Sequence, residues 1–142
     1  MLRGFTLIEI LLSLSMMAVI AAFSLPVALN YQQRSGAHIA KDTTAQQLRR
    51  AQTLSVAGEG DDSWGVYIQT GTVTLFKGSS YAARDTSYDE ENSIQSSIAV
   101  SGVSEVVFDR VTGIPSTTGA IMLDSATGQT YTVTIYSTGL ID

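Results

Sequence analysis

The sequence predicts an α+β protein: a long N-terminal helix, membrane half followed by amphipathic half, packed on a small antiparallel β-sheet domain. Three observations predict it. Residues 10–29 contain no Asp, Glu, Lys or Arg. Small residues then recur at helical spacing as far as Ala57. Beyond Gly58 the text changes to short β-rich runs separated by glycine-containing turns. A length of 142 residues suits one domain with an appendage.

The charge-free run of residues 10–29 would span roughly 30 Å as a helix, the thickness of a bilayer's hydrocarbon core. It is too long for a secretory signal's apolar region, and no small-residue cleavage site follows it before Tyr31. Glu9 stands at its start, where an ionisable group in an apolar helix costs about 3 kcal/mol and therefore needs a partner or a task. Pro26 removes a backbone hydrogen bond and is expected to kink the helix.

From Asn30 the chain turns polar, with Tyr31 as an interfacial aromatic. Ala37, Ala40, Thr44, Ala45, Leu48, Ala51 and Ser55 then form one narrow helical face, opposite Lys41, Asp42, Gln46, Arg49 and Arg50. Gly36 is a weak point within this helix, and Gly58 and Gly60 with Asp61-Asp62 stop it. Strands are expected over 64–69 and 72–76 around a Thr70-Gly71 turn, then near 96–100, 103–109, 119–123 and 131–136. Residues 78–93, rich in Ser, Tyr and acids, read as a polar loop.

Composition excludes several functions. The absence of cysteine removes disulfides, thiolate metal sites and cysteine nucleophiles. The net charge is −5; Arg3 and Glu9 cancel, so residues from 31 onward carry all of it. An acidic surface of this kind argues against nucleic acid as a partner.

The opening Met1-Leu2-Arg3-Gly4-Phe5-Thr6-Leu7-Ile8-Glu9 resembles the prepilin-type N-terminal signal of type IV pilins and type II secretion pseudopilins. The resemblance implies a leader over 1–4, cleavage by prepilin peptidase between Gly4 and Phe5, and N-methylation of Phe5. It further implies an assembly role for Glu9 and a family proline at Pro26. Four parts would follow: leader 1–4, transmembrane or filament-core helix 5–29, its amphipathic continuation 30–57, and a β-rich pilin domain over 58–142. Gly4 suits a tight protease cleft because it lacks a side chain. Glu9 lies one turn from Phe5, and the free amine of a neighbouring subunit's Phe5 would supply its cation.

A looser resemblance, to GspH/FimT-like minor pilins and pseudopilins, rests on Trp64-Gly-Val-Tyr, on Val107-Phe108-Asp109 before Gly113, on Gly119-Ala-Ile-Met-Leu and on the closing Val133-Thr-Ile-Tyr-Ser-Thr-Gly-Leu-Ile. It implies a structural subunit, not an enzyme, of a type IV pilus-like or type II secretion filament. Its partners would be other pilin or pseudopilin subunits, prepilin peptidase, an inner-membrane assembly platform and, before assembly, membrane lipid. The implied location is the bacterial inner membrane, single-pass with the globular domain outside the cytoplasm, then the pilus or pseudopilus. The alternative is a filament-tip subunit contacting DNA or a surface ligand.

No catalytic set, cofactor motif or metal site is expected. His38 stands alone among histidines, so it has no convergent partner of its own kind. Asp85 and Asp89-Glu90-Glu91 match no defined calcium loop and read as a solvated acidic segment. Arg34, Arg49, Arg50 and Arg84 are the cations a DNA-contacting role would use.

Overall fold

A computed structural model describes residues 5–126 and 128–142, with the backbone alone over 23–34. The chain divides into two compact units, Met1–Gln32 and Gln33–Asp142. One helix, α1, is assigned over Leu7–Ala57. It starts at Leu7 because Thr6 caps it: the Thr6 carbonyl accepts from the backbone N–H groups of Glu9 and Ile10 at 3.1 and 3.3 Å. It ends at Gly58, whose φ of +67° is the left-handed conformation that a residue without Cβ adopts at low cost.

Among the described residues, seven strands follow. β1 (Trp64–Gln69) and β2 (Thr72–Lys77) form a hairpin around Thr70-Gly71. β3 (Asp85–Ser93) pairs with β2, after a short helical turn over Tyr81–Ala83. β4 (Ala99–Gly102), β5 (Glu105–Phe108), β6 (Gly119–Asp124) and β7 (Thr130–Ile135) complete the set. They make two antiparallel sheets, in the orders β3-β2-β1-β5 and β4-β6-β7.

The core of the 33–142 unit is shared by the helix and both sheets. Ala37, Ala40, Ala45, Leu48 and Ala51 cluster with Val66, Ile68, Val73, Leu75, Val106 and Phe108, and with Ile121, Leu123, Val133 and Ile135. Small helix residues let the strands approach closely, so the bulk comes from β-branched and aromatic strand residues. Thr44 and Ser55 lie in the same buried face. The Thr44 hydroxyl donates to the Ala40 carbonyl at 2.8 Å. Ser55 Oγ accepts from the Trp64 backbone N–H at 2.9 Å, which joins the end of α1 to the start of β1. The Trp64 indole N–H donates to the Glu59 carbonyl at 2.8 Å. At Gly65 an added Cβ would lie 2.9 Å from the Val106 carbonyl oxygen, so glycine is what allows β5 this close.

Several expectations are corrected. The chain is not a long helix laid along one small sheet. Side chains of residues 5–22 are exposed throughout, the described α1 side chains in the core run from Ala37 to Ala51, and the strands divide between two sheets. The "polar loop" of 78–93 contains β3, the longest strand. Acidic and Ser-rich text has low β-propensity, but backbone pairing with β2 overrides it. The fourth strand begins at Ala99, not near residue 96.

The single-pass inner-membrane location is also corrected. Among the described residues, no helix is long and apolar enough to cross a membrane. Gly36 bears no break in α1; an added Cβ there would meet the Gln95 side chain, which the glycine lets lie against the helix.

Candidate functional site

The expected site is the N-terminal segment. Gly4, the residue before the expected cut, lies outside the described residues. Phe5 precedes α1 and is 81% exposed. It is therefore not on a helical face with Glu9, as the spacing predicted, because capping by Thr6 starts the helix two residues later.

Glu9 has a local role that the sequence reading missed. Its Oε2 lies 3.5 Å from both the backbone nitrogen and the hydroxyl of Thr6. Thr6-Leu7-Ile8-Glu9 has the sequence of a capping box and makes its return half, in which the third helical residue reaches back to the cap residue's N–H. The signal, a Thr followed three residues later by Glu at the head of an apolar run, was available in the sequence. A carboxylate in the first turn also opposes the positive end of the helix dipole. Beyond it, Ser13 and Ser15 return their hydroxyls to the carbonyls of Glu9 and Leu12, at 2.7 and 2.8 Å. This keeps the segment's hydroxyls internally bonded and leaves the surface to apolar groups.

That surface is extensive. Leu7, Ile8, Leu11, Leu12, Leu14, Met16, Met17, Val19 and Ile20 are each more than half exposed. A helix apolar on all sides is one designed for burial. Each such side chain gains about 1.5–3 kcal/mol when covered. Pro26 lies within α1, with its ring outside the described side chains.

In the 33–142 unit, the other candidates are dispersed and mostly engaged. His38 Nδ1 lies 2.9 Å from Asp42 Oδ2, and its ring meets Tyr131 edge-on at 6.0 Å. Arg50 pairs with Glu90 at 2.6 Å. Arg84 donates to Asp89 at 2.8 Å and lies 3.7 Å above the Tyr81 ring, which stacks on Tyr67 at 4.0 Å. The hydrogen bond to Asp89 is the main reason the Arg84 guanidinium is held above its usual range. Asp85 accepts from the Ser87 hydroxyl and backbone N–H at 2.6 and 3.1 Å, chiefly because of which its carboxyl is held below the usual value. Among the described residues, no group of three or more His, Cys, Asp or Glu side chains is placed to hold a metal. Arg49 donates to the Ile141 carbonyl at 3.1 Å. The Arg34 side chain lies outside those described.

The arrangement offers an uncovered apolar helix at one end of the chain and a core-bearing unit at the other. Comparison with protein-family models, with characterised proteins and with solved structures gives no match to this chain.

Proposed function

We propose that the chain is a structural subunit, of the minor pilin or pseudopilin kind, in a type IV pilus-like or type II secretion filament. It is cut after Gly4 by a prepilin peptidase and assembles through its N-terminal helix. The observation that carries this reading is the segment 5–22, apolar and exposed on every side, in a chain whose 33–142 unit has its own core. Apolar surface on that scale calls for cover from outside the chain, and equivalent segments of other subunits supply it. The opening Arg3-Gly4-Phe5 with Glu9 supports cleavage and methylation at the same end.

The test is the N-terminus of assembled protein. Mass spectrometry is expected to find a chain that starts at Phe5 and carries one added methyl. Gly4→Ala should leave most chains uncut in cells that hold the peptidase. An intact Met1 on assembled protein overturns the reading.

A further inference from the structure

At the C-terminal end of α1 an apolar patch is exposed that the core does not use. Arg49, Gln52 and Val56 stand at i, i+3 and i+7, on one face of the helix. Gln52 Nε2 donates to the carbonyls of Gly113 and Gly139 at 3.1 and 3.0 Å, drawing two loops against that face. Each loop presents an apolar side chain to solvent: Val111 is 65% exposed and Leu140 62%, beside Val56 at 51%.

Val111 is also strained. Its φ is +73°, a region that β-branched residues almost never enter. Its N–H is held by the Ser55 carbonyl at 2.9 Å, which fixes the turn. That hydrogen bond holds the strained turn, which sets an apolar side chain facing solvent.

Charge identifies the occupant. Arg49 sits at the rim of the patch and makes no ion pair among the described residues. Among its side chains the 5–22 segment carries one charge, the carboxylate of Glu9. We propose that this patch receives the exposed apolar helix segment of a second copy of the chain, with Glu9 meeting Arg49. Direction follows from length. Val56 lies about 10 Å beyond Arg49 along the helix, and only a parallel helix keeps apolar residues over it, placing Met16 against Val56. The two surfaces differ, so the contact is head-to-tail, the kind that builds an open filament when its rotation does not close a ring. This rests on the filament-subunit reading and names the receiving surface.

The chain has no cysteine, which gives a clean background for cross-linking. Differently tagged full-length chains, one Met16→Cys and the other Val56→Cys, are co-expressed and oxidised. A mixed disulfide dimer is expected. Placing Arg49→Glu on the Val56→Cys chain should cut its yield about tenfold, and adding Glu9→Lys to the Met16→Cys chain should restore much of it. Val111→Gly should raise the melting temperature by relieving strain while lowering the cross-link. Val56–Val56 dimers in place of mixed ones mean an isologous contact and overturn the proposal, as does a yield indifferent to Arg49→Glu. Processing at Gly4 and co-sedimentation with filaments are scored in the same cells. If they hold without the mixed cross-link, this inference alone fails; if they fail too, the filament reading goes with it.

Discussion

Glu9 carries two roles that a single substitution confounds. Its carboxylate reaches back to the Thr6 N–H, and it is the one charged side chain on an otherwise apolar segment. Glu9→Val removes both, at about 0.5–1 kcal/mol for the cap. Glu9→Gln keeps an acceptor oxygen for the Thr6 N–H and removes only the charge. Both variants are expected to be cut after Gly4, because the junction is unchanged. On the proposed filament reading, in which a partner subunit reads that charge, both should enter filaments poorly in co-purification. If Glu9→Gln assembles like the wild type, capping is the whole of the residue's role. The cap was legible in Thr6-x-x-Glu9, yet the apolar run beside it drew attention to lipid and partners. The Arg49–Gln52–Val56 surface could not be read in advance. It depends on two loops, near residues 113 and 139, that the fold brings to one helix face.

Among the elements, α1's buried face was the most legible. Seven small or apolar residues at helical spacing are the seven that are buried among the described side chains of α1, because a period of 3.6 maps directly onto a face. The β1–β2 hairpin was equally plain, with Gly71 at a φ of +91° between two alternating runs. β3 was invisible for a physical reason. Its residues are mostly exposed, so no alternation of apolar and polar marks them. What holds it is cross-chain: pairing with β2, and the ion pairs Arg84–Asp89 and Arg50–Glu90. Its charged side chains also discourage pairing with a further strand at this sheet edge. Asp85, at its first residue, makes the start of β3 sensitive to acid. Because its folded carboxyl titrates below the ordinary 3.8, its contribution is present above that value and lost as pH falls through the lower folded one. Hydrogen exchange at residues 85–88, taken relative to the intrinsic amide rate at each pH, is therefore expected to accelerate below about pH 4. Asp85→Asn should flatten that dependence. Acceleration of the same size in the variant would remove Asp85 as its source.

For the whole molecule, the division falls between residues 32 and 33, a few residues past the polarity change at Asn30. The 33–142 unit holds the clustered core and both sheets, and its small size makes the helix alanines matter for stability. A fragment covering 33–142 is expected to remain in solution without detergent. Its circular dichroism should show mixed helix and strand, and it should unfold in one cooperative step. A fragment that needs detergent, or that gives a purely helical spectrum, would show that the unit depends on the 5–22 segment. The membrane expectation came from counting residues 10–29 as one charge-free run. Among the described residues no helix is long and apolar enough to cross a membrane, and the side chains of 23–29 in that run lie outside those described.

Trp64 is the chain's only tryptophan, 4% exposed, with its indole hydrogen-bonded to Glu59 and edge-on to Tyr88 at 6.0 Å. It gives the protein a built-in optical probe at the junction of α1 and β1. Its emission lies toward the blue in the folded state and moves to the red when water reaches the ring. The 5–22 segment contains neither tryptophan nor tyrosine, so excitation at the red edge of the absorption band passes over it. A light signal from this chain thus follows the core of one unit and stays dark to whatever gathers around the other.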